Sequence, residues 1–284
     1  FAVDAMLDGA RLFAGNPLNR VVSDYPGLHA VTAALSGVTG GSVFASGNLV
    51  IPAIRGAGCL AVFLLAERLA RAAWAPKPPA VALLAVVVFA ANPAFAFFDA
   101  QFAYESLASP LVAVVLLVAV RIEDSGRPWG MAAVAAASTL LVVITHHGSS
   151  YVLAGLLALM VLARLVVRRR PPLPLVALAG AAAAMTVGWL LAAAGYTLTY
   201  VGPYVASNVT SVPEFLSGSG SGPRQLFGGF LPVPAYERAA SFGAVVVLFG
   251  LYCWGIHAVQ RATRRIDAWL LLGLGAVYFL SLPL

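Results

Sequence analysis

Charge is what this chain lacks most. Of 284 residues only 10% are Asp, Glu, Lys or Arg, and a single lysine, Lys77, stands among the 17 basic residues. Water-soluble domains carry about a quarter charged residues, so an ordinary soluble fold is excluded. Cysteine is almost as scarce. Cys59 and Cys253 both sit inside apolar runs, which excludes a disulfide scaffold and marks them as core thiols. No internal repeat occurs, and intrinsic disorder does not fit a chain dominated by aliphatic residues. What fills the space is apolar: 61% of residues are hydrophobic, at a mean hydropathy of +0.91. This is the composition of a membrane protein.

A spanning helix needs roughly 20 mostly apolar residues. Eight segments qualify: Val43 to Ala66, Ala80 to Phe98, Ser106 to Val120, Trp129 to Thr145, Tyr151 to Val167, Leu175 to Gly195, Ala239 to Ala258 and Ile266 to Leu284. The third is short and is expected to begin near Gln101. Ahead of them, Gly27 to Gly37 lies between Pro26 and Gly40, too short to span, and reads as a re-entrant or tilted half-helix. The expected fold is therefore all-α, a polytopic integral membrane helical bundle of about eight transmembrane helices with a short re-entrant or interfacial helix near the N-terminus. It divides into an extracytoplasmic segment 1–42, a six-helix core 43–195, an extracytoplasmic loop 196–237 and two C-terminal spans 238–284. The chain opens without Met and stops inside an apolar run, so it is expected to be an excerpt of a longer protein.

The net charge of +6 would point to nucleic acid in a soluble protein, but here it describes topology. Twelve of the basic residues fall in every second loop: Arg68, Arg71 and Lys77; Arg121 and Arg127; Arg164 and Arg168 to Arg170; Arg261, Arg264 and Arg265. Cytoplasmic loops hold the excess of Lys and Arg, which assigns those loops to the inside and predicts no nucleic-acid partner. Seven of the eleven acids lie on the opposite side, where chemistry is to be sought.

Four constellations gather on that outer side. In VDAMLDGARLF, Asp4, Asp8 and Arg11 stand at i, i+4 and i+7; on a helix they share a face and form either an acid pair for a metal or acceptor, or a solvated face with an Asp8–Arg11 ion pair. In SDYPGLH, Asp24 and Tyr25 precede Pro26, which can open a helix; Asp24 is either its cap or, beside the Tyr25 ring, part of a sugar or phosphate pocket. In FFDAQFAYES, Asp99, Gln101, Tyr104 and Glu105 join two spans, as caps and dipole partners or as functional groups, since ionisable residues at membrane depth are functional candidates. In THHGSSY, His146, His147, Ser149 and Ser150 form either a polar turn with a Ser cap or an anion site of imidazole, amide and hydroxyl donors. Adjacent histidines on a helix point about 100° apart, which disfavours joint chelation. Arg55 sits mid-span, where a cation needs a partner; a lipid phosphate or an outer-face acid would serve.

The order DYPGLHAVTAALSGVTG, ANPAFAFFDAQFAYESLASPL and THHGSSYVLAGLL resembles bacterial polytopic proteins of the GT-C glycosyltransferase type, especially actinobacterial ones, over approximately Asp8 to Val167. The resemblance implies a plasma-membrane enzyme that transfers a sugar from a polyprenyl-phosphate donor to a glycan or lipid acceptor on the extracytoplasmic face. In that family an acid in the first outer loop acts as base or metal ligand, a part that Asp4, Asp8 or Asp24 would take here. Asp99 and Glu105 could hold a divalent metal, Mg or Mn, the one cofactor foreseen. Tyr25, Arg55, Gln101, Tyr104, His146, His147, Ser149 and Ser150 would bind substrate. The alternative is a lipid-linked-glycan transporter or a non-catalytic subunit of an envelope complex. Transporters tend to carry charges along a path through the bilayer, whereas here the polar groups collect on one side and Arg55 alone lies mid-membrane.

Overall fold

The computed structural model describes residues 2–9, 20–72, 75–92, 95–96, 100–168, 170–199 and 202–203, with isolated helical positions between 236 and 254. The chain divides into two units, 1–71 with 75–200, and 72–74 with 201–284. The described residues contain helices and no strand. The helices of the first unit are, in order, α1 (Ala2–Leu7), α2 (Arg20–Ser23), α3 (Gly27–Thr39), α4 (Val43–Ala72), α5 (Pro78–Ala90), α6 (Tyr104–Arg121), α7 (Pro128–Val143), α8 (His147–Arg168) and α9 (Leu173–Ala192).

Four of these are long and apolar enough to cross a membrane: Val43–Arg71, Tyr104–Arg121, His147–Leu165 and Leu173–Ala192. They make this an integral membrane protein. Their lipid-compatible faces are explicit, with Phe44, Leu49, Leu60, Leu162 and Leu191 all exposed. The other two spans expected in the core are shorter. Helix α5 ends at Ala90 instead of running to Phe98, because the residue before a proline is disfavoured in the α region and Asn92-Pro93 follows. Helix α7 starts with Pro128 in its first turn and ends at Val143. At 1.5 Å per residue the two reach about 20 and 24 Å, against about 30 Å of hydrocarbon. The seventh and eighth expected spans, and loop 196–237 beyond Thr199, lie largely outside the described residues.

The half-helix takes the form α3, opened by Pro26 and closed by Gly40, whose φ of 68° is left-handed and so favours glycine. Thirteen residues cover about 20 Å, too little to span. Helix α1 lies on α3 with Val3 buried. It stops at Leu7, and Gly9 turns the chain at φ 85°. The continuous helix expected over Asp4, Asp8 and Arg11 is therefore interrupted after its first two turns, and Arg11 is outside the described residues.

Core packing is by small residues and self-satisfied hydroxyls. Helix α6 packs on α7, α7 on α9 and α8 on α9, burying Ala108, Val115, Ala135, Val142, Leu153, Leu157, Leu175 and Leu178. Helix α4 meets α6 where a Cβ on Gly58 would stand 2.6 Å from the Pro110 ring, the close approach that small residues allow in membranes. Thr32 and Thr139 donate to Leu28 O and Ala135 O, four residues back, so buried hydroxyls need no water. Arg68 reaches Asp124 and the Val120 carbonyl, joining the C-terminal ends of α4 and α6. At the opposite ends of the same helices Gly47 meets the Phe102 ring, so α4 and α6 run parallel, as the alternation of basic residues requires. Arg164, expected in an inner loop, instead lies within α8 and is 2% exposed.

Candidate functional site

At the end of the bundle opposite Arg68, three of the four constellations come together. The Asp24–Pro26 turn is clamped from several directions. Trp189 Nε1 donates to the Asp24 carbonyl at 3.1 Å, and the Gly27 N–H donates to Ile144 O at 3.0 Å. Thr197 Oγ1 donates to the Tyr25 hydroxyl at 3.2 Å, which also hydrogen-bonds Tyr151. Tyr25 is 2% exposed. Burial pushes its phenol up, against the Thr197 bond. A ring so enclosed braces the turn. Its ring lies 5.3 Å from that of His147, which in turn lies 6.1 Å from Tyr151.

His146 is the centre of the site. It immediately precedes α8, and its imidazole, not a serine, caps that helix: Nδ1 accepts the Ser149 N–H at 3.3 Å and lies 2.9 Å from Ser149 Oγ. A backbone N–H only donates, so Nδ1 is unprotonated and the neutral ring carries its hydrogen on Nε2. Burial, and secondarily the neighbouring His147, hold the imidazole down at about 4, so it is uncharged at neutral pH. Its Nε2 faces Glu105 Oε1 at 3.9 Å, with the two side chains 16% and 38% exposed. Tyr104 lies against the other side of the ring, 4.9 Å between centroids, and His147 at 4.9 Å.

This geometry changes the expected anion site. The Ser149 amide is taken by His146, and the buried Ser150 donates its hydroxyl to His147 O at 2.7 Å, so two of the donors foreseen for an anion serve the turn itself. Glu105 lies in the first turn of α6, whose N-cap, Ala103, offers no side-chain bond; Ser106 secures the turn by donating to Gln101 O at 2.7 Å. Gln101 is exposed beside it. His29 of α3 stands edge-on to Phe102 at 5.8 Å, which brings the SDYPGLH and FAYES segments into one cluster.

The remaining site residues are elsewhere. Asp4 and Asp8 are exposed, and Leu7 beside Asp8 meets Gly37, about 15 Å along α3 from Gly27 at 1.5 Å per residue. Asp99 lies outside the described residues, so the Asp99–Glu105 metal pair does too. Among the described residues no group of three or more His, Cys, Asp or Glu converges for a metal. Among the described residues Arg55 is held by Phe95: its Nη2 donates to Phe95 O at 2.9 Å and its guanidinium lies 4.3 Å over the Phe95 ring. It thus satisfies a carbonyl just past the broken end of α5. Trp189 and Thr197, which the sequence did not single out, bond to partners 165 and 172 residues away. Only their polar atoms within apolar surroundings could have flagged them.

The chain matches no protein-family model, and no characterised protein or solved structure is significantly similar to it.

Proposed function

We propose that this chain is a membrane glycosyltransferase of the GT-C type, moving a sugar from a polyprenyl-phosphate donor to a glycan or lipid acceptor of the bacterial cell envelope at the extracytoplasmic face. The observation that carries the reading is convergence. Segments 24–29, 102–105 and 145–151, distant in sequence, meet at one end of the bundle around the His146–Glu105 pair. A path for passage across the bilayer would instead distribute polar groups along the helices. The resemblance of these same three segments to GT-C proteins supplies the sugar chemistry.

In this reading the acceptor hydroxyl displaces the lipid phosphate at the anomeric carbon. The exposed Gln101 and the edge of Tyr104 contact the acceptor. Reconstitution in proteoliposomes with polyprenyl-phosphate-linked pentoses and hexoses tests this, with glycosidic product as the expected result. Flux of lipid-linked glycan across sealed vesicles without new glycosidic bonds would establish the transporter reading instead. Undiminished transfer by Asp99→Ala and Glu105→Ala variants would remove that turn from the site.

A further inference from the structure

Resting on the glycosyl-transfer reading, we propose that Glu105 is the general base that deprotonates the acceptor hydroxyl, and that Ser149 is a positioning residue that holds His146 with its Nε2–H directed at the same hydroxyl. The resemblance alone would place the base among Asp4, Asp8 and Asp24.

The geometry of the pair supports Glu105. A separation of 3.9 Å between His146 Nε2 and Glu105 Oε1 is too long for a direct hydrogen bond. It leaves room for one oxygen at about 2.8 Å from both atoms. That oxygen accepts from Nε2–H and donates to the carboxylate, so a hydroxyl fits and an ether or a carbonyl does not. The orientation depends on Ser149. With its N–H and Oγ on Nδ1, the ring cannot place a hydrogen there, and Nε2 is the donor. Tyr104 and His147 flank the ring and resist its rotation. With Nε2 as the donor, the Glu105 carboxylate is the member of the pair placed to take the hydroxyl proton.

The other acids are placed less well. Asp8 follows Leu7, which meets Gly37 at the far end of α3 from Gly27, and Asp4 stands in the short helix α1 just before it. One carboxylate oxygen of Asp24 is buried in the turn that Trp189 clamps.

Atoms and electrons balance across the step. The acceptor O–H bond breaks and its proton passes to Glu105 Oε1. The acceptor oxygen's electron pair forms the new bond to the anomeric carbon. The bond from that carbon to the phosphate oxygen breaks with its electron pair on the oxygen, releasing polyprenyl phosphate. The proton then leaves Glu105 for solvent, to which its side chain is open.

Azide ion separates the roles, because it attacks an anomeric carbon without needing a base. The assay uses the full chain in proteoliposomes with a panel of polyprenyl-phosphate-linked pentoses and hexoses, an octyl glycoside acceptor, and sodium azide in parallel. Glu105→Ala is expected to lose transfer to the alcohol by about 10²- to 10⁴-fold, the usual worth of a general base, while still forming glycosyl azide. Ser149→Ala, which removes the Oγ contact but keeps the amide on Nδ1, is expected to loosen the ring and lower kcat at unchanged KM, and Ser149→Thr to restore it. The Nδ1 resonance of His146 in ¹⁵N-histidine-labelled protein is expected at the unprotonated position. Equal alcohol transfer by wild type and Glu105→Gln would overturn the proposal. So would loss of both products in a Glu105→Ala protein that unfolds like wild type, since Glu105 would then serve the donor. A wild type that forms neither product with any donor refutes the glycosyl-transfer reading itself, and the base assignment with it.

Discussion

Gly27 carries an unusually sharp prediction. A Cβ added there would stand 2.1 Å from Thr145 Oγ1 and 3.0 Å from both Thr145 Cα and Cβ. Comfortable contact needs about 3.5 Å, so α3 and the end of α7 must part by roughly 1 Å or more. Parting them also strains the Gly27 N–H to Ile144 O bond. Overpacking costs about 1–3 kcal/mol, and a buried amide left without its acceptor about 1–3 kcal/mol more. Helix propensity works the other way, by up to about 1 kcal/mol in favour of Ala. Gly27→Ala is therefore expected to destabilise the protein by about 1–6 kcal/mol in detergent-based denaturant unfolding. Gly180→Ala, where a Cβ meets nothing within 4 Å, should be neutral or slightly stabilising. Thr145→Ala removes the nearest atom, so the Gly27→Ala/Thr145→Ala double variant should recover part of the loss. A coupling of about 0.5–3 kcal/mol is expected for residues in contact. Because Thr145 directly precedes His146, transfer activity should fall along with stability. A Gly27→Ala protein as stable as Gly180→Ala, or a cycle with no coupling, would refute the packing of α3 against the α7–α8 turn.

Three further perturbations act on the same end of the bundle. His146 titrates at about 4 when folded against 6.5 ordinarily, so between those values the unfolded chain binds more protons. Its contribution is complete above pH 6.5 and is lost as pH falls toward 4, by up to about 3 kcal/mol; unfolding midpoints from pH 7 to 4 should show this limb in wild type and a flatter one in His146→Gln. Tyr25→Phe strands the buried Thr197 hydroxyl and should cost about 1–3 kcal/mol, measured by the same unfolding; a wild-type midpoint would show the Tyr25 bonds to be idle. Arg55→Met removes the donor to Phe95 O and the contact with its ring, and should cost about 1–3 kcal/mol. Arg55→Lys should recover only part of that, since an ammonium lacks the planar fork; equal stability of Lys and Met variants would mean that charge at this position does not matter.

Local punctuation made much of the helical order legible. Pro26 and Gly40 bracket α3, and Val43 opens α4 where the apolar run begins. Helix lengths were less legible, because hydropathy continues past the point where the backbone stops being helical. The run from Ala80 to Phe98 is apolar apart from Asn92, yet α5 ends before Asn92-Pro93. The candidate site followed the same division. Its residue types stood out as polar groups in an apolar chain, and their juxtaposition did not. Nothing local to Trp189 or Thr197 announces a bond to the Asp24–Tyr25 turn. The cap of α8 went against the ordinary preference for Ser, because His146 stands at the N-cap position and its own Nδ1 reaches the Ser149 amide.

The two shortened helices explain why polar groups can collect where they do. Helix α5 ends at Ala90 and α7 at Val143, each several ångströms short of a full crossing, and from these ends the chain continues toward Tyr104 and His146. Backbone that is not helical at membrane depth is tolerated only where it is buried in protein or lines a water-filled cavity. The first form occurs here. Arg55 satisfies the Phe95 carbonyl beyond α5, and Ile144 O beyond α7 accepts from Gly27. Bonds such as these let the chain leave the helix without stranding its polar groups. Glu105 in the first turn of α6 and His146 just past the end of α7 face one another with side chains 38% and 16% exposed. Among the described residues the two short helices thus end where the chain turns toward the polar cluster, while the four long ones are those able to cross the membrane.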